Sequence, residues 1–575
     1  MTGLLGIAML GTSVVGLHAN VVNAESGKYY SDYTSLAEAQ KAAAKLGEDL
    51  GEEGSVLLKN QNKALPLNGN EWVSVLGVSS DSVEGGNTTV AYSLKDAGFR
   101  VNAELENYYS KIGTTYGQEN VDKISGTAKS SMEIYNDVAV VIFSRTGGES
   151  QDCATVTKEV EDNKYGSEDM GWKHNALYST TDSEEELLEF AKANCKKVVV
   201  VINSSNVMEL GNMENDDEID GIIWVGRPGA DGLKALGRIL NGTVNPSGKT
   251  VDIYPADLTA DPTWFGYGKG EQFTGTGDYP ETFFRQQKAD GSSEIYNRQN
   301  PNMQASIPGV STGYSVVEYS EDIYMGYRYY ETAAVEAQDG NYEGFDYDTA
   351  VVYPFGHGLS YTEFEWTNVT PAANVENWSS KKSIDLKVKV KNTGAVAGKD
   401  VVQVYAHAPY TDGEVTISEV VLVGFAKTSL LQPGQEETVT ISVNVQDIAS
   451  FDDYDKNKNG SATYELDAGA GYELRFQTDS HNVKARQALS ELTDDVILGK
   501  DDYSGNAVEA LFSGKDVYNT LGWDPAVENK DGTKGATLVG EGKMTLLSRD
   551  NFKGTFPEPM TEELAGGSAG GNGWY

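Results

Sequence analysis

Cysteine is scarce in this 575-residue chain, with only Cys153 and Cys195 present. Two thiols exclude a disulfide framework and a four-thiolate zinc site. They are either ordinary thiols or, in an exported chain, a single bridge, and spacing alone leaves that open. Histidine is also sparse: His18, His174, His357, His407 and His481 are scattered, and no two form a HExxH pair. Basic residues fall short too, since 45 Lys and Arg against 86 Asp and Glu give a formal charge of −41. A field of that sign repels phosphate backbones and anionic lipid, so no nucleic-acid partner is expected. The GxxxxGK[ST] pattern is missing, which removes the usual phosphate cradle. What the chain does have is tyrosine, 32 of them, within a hydrophobic fraction of 39%. Aromatics in that number can bury enough area to order an acidic chain. At about 150 residues per domain, the length accommodates three or four units.

The N-terminus is the one candidate targeting segment. Leu4 to Val15 is apolar with small residues, and Val22-Asn23-Ala24 follows, as a signal peptidase favours. No Lys or Arg precedes Lys28, so the basic start of such a signal is missing. Residues 1–24 therefore read as a signal or anchor segment, with a disordered or buried tail as the alternative. Export, to the outside or the cell surface, is the expectation. The run is too short and Gly-rich for a membrane span, and no second stretch is long and apolar enough.

Farther along, two kinds of pattern succeed each other. Ser35-Leu-Ala-Glu38 is a capping-box arrangement opening a run of helix formers from Ala37 to Leu50. Strands are expected at 55–58 and 72–76. Asp137 to Ser144, Lys197 to Asn203 and Ile219 to Val225 are apolar runs of the kind that strands buried on both faces show. Helices are expected at 182–194 and 230–240 between and after them. This is an α/β pattern: a mostly parallel sheet covered by helices. Residues 256 to about 375 are rich in Gly, Tyr, Asp and Asn with little periodicity, as in functional loops or packed extensions. From Ser383, short alternating strands recur at about ten-residue spacing, which predicts an immunoglobulin-like β-sandwich. The resulting domains are an α/β unit with its extension at 35–375, a β-sandwich at 383–480 and an irregular connector at 485–575.

In open α/β sheets ligands gather at the carboxyl ends of the strands. Three loops qualify: Arg145 to Asp152, Ser204 to Asn206 and Gly226 to Gly229. In the first, Gly147-Gly148 permits a sharp excursion that delivers Glu149, with Asp152 three residues on. A glutamate held partly out of water keeps its proton near neutral pH and serves as a general acid. A solvated loop acid would look the same in sequence. Asp455-Lys-Asn457-Lys-Asn459-Gly460 imitates the start of a calcium loop, but Leu466 stands where its closing Glu is needed, so a hairpin turn is the favoured reading.

Several segments together resemble the non-barrel half of glycoside hydrolase family 3, the β-glucosidase group. Glu52-Glu-Gly-Ser-Val-Leu-Leu-Lys-Asn60 with Ala64-Leu-Pro-Leu67 is similar to the opening of that family's α/β sandwich domain. Gly226-Arg-Pro-Gly229, Asn245-Pro-Ser-Gly-Lys249 and Tyr254-Pro255 resemble its later loops, and Tyr319 to Tyr330 and Tyr353 to Tyr361 are the most specific matches. Val390-Lys-Asn-Thr-Gly394 and Gly398 to Tyr405 look like its fibronectin type III-like appendage. The resemblance implies a retaining hydrolase of terminal β-linked sugars, with Glu149 as acid/base and Arg145 and Asp152 as substrate contacts. Ser150, Gln151 and Cys153 depart from the family's commoner loop pattern, which leaves the sugar open. No cofactor or metal is implied.

The nucleophile of such enzymes sits on a (β/α)8 barrel, and none is expected within this chain. Residues 540–557 look like the connector that rearranged members place before theirs. The expected whole is thus an enzyme whose barrel lies beyond this sequence, with a substrate that is a β-glucoside or oligosaccharide. The alternatives are a split enzyme with its barrel on a separate chain, and a non-catalytic exported carbohydrate-binding or surface protein.

Overall fold

The computed structural model describes residues 32–113, 116–117, 119–146, 178–264, 319–371, 375–413, 415–452, 455–461, 463–508 and 546–557, besides short strand pairs between 155 and 176, 283 and 315, and 524 and 536. The first unit opens with helix α1 (Leu36–Gly54), whose N-cap Ser35 accepts from the Glu38 amide at 3.2 Å. A six-stranded sheet follows, built from β1 (Val56–Asn60), β2 (Trp72–Leu76), β3 (Arg100–Val101), β4 (Val138–Ser144), β5 (Val198–Asn203) and β6 (Gly221–Trp224), in the spatial order β1-β6-β5-β4-β2-β3. Every pairing is parallel except β1 with β6 at one edge.

The apolar runs are explained by burial on both faces. In β4, Ala139, Val141 and Phe143 join the core under helices α3 (Ala103–Tyr109), α4 (Gly126–Ser131) and α5 (Asp182–Asn194). Val138, Val140 and Ile142 point the other way, against α2 (Val90–Asp96) and α6 (Ala235–Leu240). Helix α5 starts with a capping box: Thr181 accepts from the Glu184 amide and the Glu184 carboxylate accepts from the Thr181 amide at 3.0 Å. Three acids in its first turn suit the helix dipole.

Within the Tyr-rich extension, helix α7 (Tyr327–Gln338) packs Tyr329 and Tyr330 into an aromatic cluster with Tyr324 and Phe552. Phe552 belongs to residues 546–557, which cross this cluster. Arg549 there is buried between Glu336 on α7 (2.6 Å) and Glu419 of the sandwich (3.1 Å), with its guanidinium 4.5 Å from the ring centre of Tyr410.

The sandwich pairs β7 (Phe364–Pro371), β8 (Ser383–Asn392) and β11 (Glu436–Asn444) in one sheet, and β9 (Val401–His407), β10 (Val421–Lys427), β12 (Glu473–Gln477) and β13 (Val483–Ala488) in the other. Ile384, Leu386, Val388 and Val390 all face inward with no exposure, the outcome of strict alternation. The sandwich is longer than its sequence pattern: β7 precedes residue 383 and β13 follows residue 480, while strand Val496–Leu498 pairs with Tyr464–Leu466 in a small third sheet. Residues 455–460 form a turn between antiparallel partners Phe451 and Tyr464, with the Gly460 amide donating to Asp455 at 2.9 Å. The Asn457 side chain donates to Glu465 and Asp467, so its amide nitrogen takes up carboxylates that a cation would need.

Candidate functional site

Four loops leave the carboxyl edge of the sheet, after β2, β4, β5 and β6. Their roots are tied together by polar residues at the strand ends. Ser144 and Asn203 lie side by side in register, and the Ser144 hydroxyl donates to the Asn203 side-chain oxygen at 2.5 Å. That same oxygen accepts from the Glu84 amide at 2.7 Å, while the Asn203 side-chain nitrogen donates to the carbonyls of Gly226 (2.6 Å) and Glu84 (3.1 Å). One buried asparagine thus fixes the loops after β2, β4 and β6 relative to one another.

Glu84 then builds the rim. Its carboxylate pairs with Arg227 at 2.6 Å and accepts from the hydroxyls of Tyr116 and Thr146, each at 3.3 Å. Sequence reasoning passed over Glu84, because its loop carries no motif; the signal was its place after β2, at the same edge as the other loops. Gly77 starts that loop with φ +112°, and a Cβ there would stand 2.5 Å from the Ile142 carbonyl oxygen. Only glycine meets both demands.

Arg145, expected to touch substrate, turns inward instead. It has no exposure, and its guanidinium forms a two-point pair with Glu184 at 2.7 and 2.6 Å while donating to the Ser179 carbonyl at 2.8 Å. Its backbone amide donates to the Asn203 carbonyl at 3.0 Å, so the residue extends the β4–β5 ladder. This geometry makes Arg145 an anchor for the root of the β4 loop. Close by, Glu119 accepts from the Val78 amide at 2.8 Å; burial pushes its carboxyl up to about 8, with the Glu184 charge adding to the rise. Cys195 is a free thiol whose burial raises it to about 12. Glu149, Asp152, Cys153 and His174 lie outside the described residues, as do residues 1–24. Among the described residues no cluster of His, Cys, Asp and Glu is arranged to hold a metal ion.

Beside the rim, a cleft of about 560 Å³ runs between α1 and residues 224–231, with Leu50, Trp224 and Arg227 in its walls. None of the α1 side chains is buried, and Leu46 and Leu50 are 59% and 63% exposed. This end of the molecule presents apolar groups next to an ion-paired rim, a combination typical of surfaces that meet another module.

Comparison with known proteins agrees with the architecture. The family model described as glycosyl hydrolase family 3 C-terminal domain matches residues 55–361, and that of the fibronectin type III-like domain matches 400–472. Beta-glucosidase A of Butyrivibrio fibrisolvens is 30% identical over 480 residues, covering 78% of this chain and 51% of its own. A beta-glucosidase of Ruminococcus albus is 29% identical over 540 residues, 87% of this chain and 48% of its own. The solved structure of beta-glucosidase 3B from Thermotoga neapolitana with glycerol is 26% identical, with a TM-score of 0.57 over 81% of this chain and 56% of that one. The chain spans about half the length of the curated relatives it matches.

Proposed function

The chain belongs to glycoside hydrolase family 3, and on that premise we propose that it supplies the acid/base half of a retaining β-glucosidase-type site acting on terminal β-linked sugars. The observation that carries the reading is the anchored root of the β4 loop. Ser144 is locked to Asn203 and Arg145 to Glu184, so the residues that precede Gly147-Gly148-Glu149 in the sequence are held at the carboxyl edge. Glu149 donates a proton to the leaving oxygen and later activates water. Asp152 orients the sugar, while Arg145 acts as a positioning residue beneath the loop.

Retention needs a second carboxylate about 5–5.5 Å from the first, as nucleophile. In this proposal a (β/α)8 barrel outside this chain provides it, docking where Leu46 and Leu50 of α1 stand exposed beside the rim. The two carboxylates carry both the proton and the covalent steps, so no cofactor enters. The site works outside the cell or at its surface, a reading supported by Leu4 to Val15 and the Val22-Asn23-Ala24 ending.

The test is Glu149→Gln in the enzyme with its barrel present. Hydrolysis of cellobiose, whose leaving group needs a proton, should fall about 10²- to 10⁴-fold. Hydrolysis of a dinitrophenyl β-glucoside, whose leaving group does not, should keep its first step nearly intact. Equal losses of the glycosylation step on both substrates would refute the assignment. The chain without a barrel should turn over neither.

A further inference from the structure

A second cleft, of about 520 Å³, lies between the foot of α7 and the sandwich, and no residue of the strand-end rim lines it. Its volume falls in the range of small-molecule sites, roughly 300–1,000 Å³. Two aromatic side chains line it while remaining open to solvent: Tyr503 is 71% exposed and Phe451 39%. Neither ring is loose. The Tyr503 hydroxyl donates to the Asp447 carboxylate, 2.7 Å from one oxygen and 3.0 Å from the other, and Phe451 rests edge-on against Tyr464 with centroids 5.0 Å apart. Tethering the phenol by its tip while leaving the ring uncovered creates a preset apolar plate, which loses little freedom when something stacks on it.

The polar groups around these rings are of mixed sign. Arg328, half-buried in the cleft wall, makes no ion pair with any described residue. Asp447 and Asp501 also line the cleft, and a carboxylate has about four lone-pair positions, so Asp447 retains acceptor capacity beyond its tyrosine. Anions are disfavoured by the two acids and cations by the guanidinium. A neutral molecule with one flat apolar face and many hydroxyls satisfies all of these groups at once. Its C–H face covers a ring, its hydroxyls donate to Asp447, and its oxygens accept from Arg328.

We propose that this cleft is an accessory binding site for a neutral pyranose oligosaccharide, with Tyr503 and Phe451 as stacking surfaces and Arg328 and Asp447 as hydrogen-bonding partners. The site goes beyond the hydrolytic reading, and it would hold a sugar chain on the fibronectin-like sandwich whether or not the β4 loop is catalytic.

Titration calorimetry of the chain with cellotetraose and with xylotetraose tests it. Saturable binding of at least one is expected, weakened about tenfold or more by Tyr503→Ala, the loss expected for one stacked ring. Phe451→Ala should weaken it as well. Tyr503→Phe, which keeps the ring but cuts its tether, should cost less than Tyr503→Ala. Glu149→Gln should leave this binding unchanged, which separates the cleft from the proposed acid/base. Absence of saturable binding by either sugar, or binding untouched by both alanine variants in chains with unaltered circular dichroism, would overturn the proposal.

Discussion

Replacing Arg145 by methionine removes the cation from a pair whose partners are 0% and 1% exposed. Glu184 would keep the Thr181 amide, at 3.0 Å, and lose both guanidinium bonds. Breaking a buried pair from one side costs about 3–5 kcal/mol, since the remaining charge stays out of water. Glu184→Gln breaks the same pair from the other side and preserves the capping role, because glutamine also serves at that helix position. If the two singles each cost that much and acted independently, the double variant would lose about 6–10 kcal/mol. It should instead lose only about 1–3 kcal/mol, because no unpaired charge remains. Hydrogen exchange of the β4 amides reads this best, reporting on the α/β unit without requiring the whole chain to unfold in one step. Protection in Arg145→Met within about 1 kcal/mol of the parent would refute the anchor, as would a double variant as damaged as the summed singles.

Three further outcomes follow from the same region and its neighbour. Glu119 keeps in the folded state, up to about pH 8, a proton that its unfolded form releases near 4.5. Its contribution to stability therefore declines as pH rises through that window, by about 1.4 kcal/mol per unit; Glu119→Gln should flatten the difference between denaturation midpoints at pH 5 and pH 8. Gly77→Ala, forced into a positive φ and against the Ile142 carbonyl, should cost at least about 1–3 kcal/mol, seen as faster exchange at β2 and β4. His481 is held above its ordinary pKa, chiefly by its bond to Glu331 at 2.8 Å, and stacks on Tyr347. The charged pair stabilises below the usual imidazole value and is lost as pH rises through the raised one. His481→Phe should thus weaken the α7–sandwich contact more at pH 6 than at pH 9, by thermal unfolding.

Strands buried on both faces announce themselves, because every position of β4 and β5 before the closing Ser144 and Asn203 is apolar. The alternation of β8 was equally plain. Helices α2, α3 and α4 went unread: at seven residues or fewer they hold under two turns, too little for a 3.6-residue period to emerge. Strand β13 escaped because its outward Lys484 and Arg486 alternate with Val483, Ala485 and Gln487, a weak apolar signal. Arg145 was expected among the substrate contacts by resemblance, and its partner Glu184 is one of three acids in the first turn of α5. Their pairing spans 39 residues and depends on how β4 and α5 are packed, which a local reading of sequence does not contain.

The Arg549 contacts also bear on the order in which the molecule is put together. Glu336 lies 213 residues before that arginine and Glu419 lies 130 residues before it. Chains are made from the N-terminus, and contacts so distant along the sequence are the slowest to form. Both glutamates and most of the tyrosine cluster have therefore left the ribosome well before their cation does. Glu419 also has Arg475 at 2.9 Å, so the carboxylate whose cation comes last is Glu336, and residues 546–557 with Leu547 and Phe552 complete the seam. A late segment thereby serves as the bolt between units that were folded earlier.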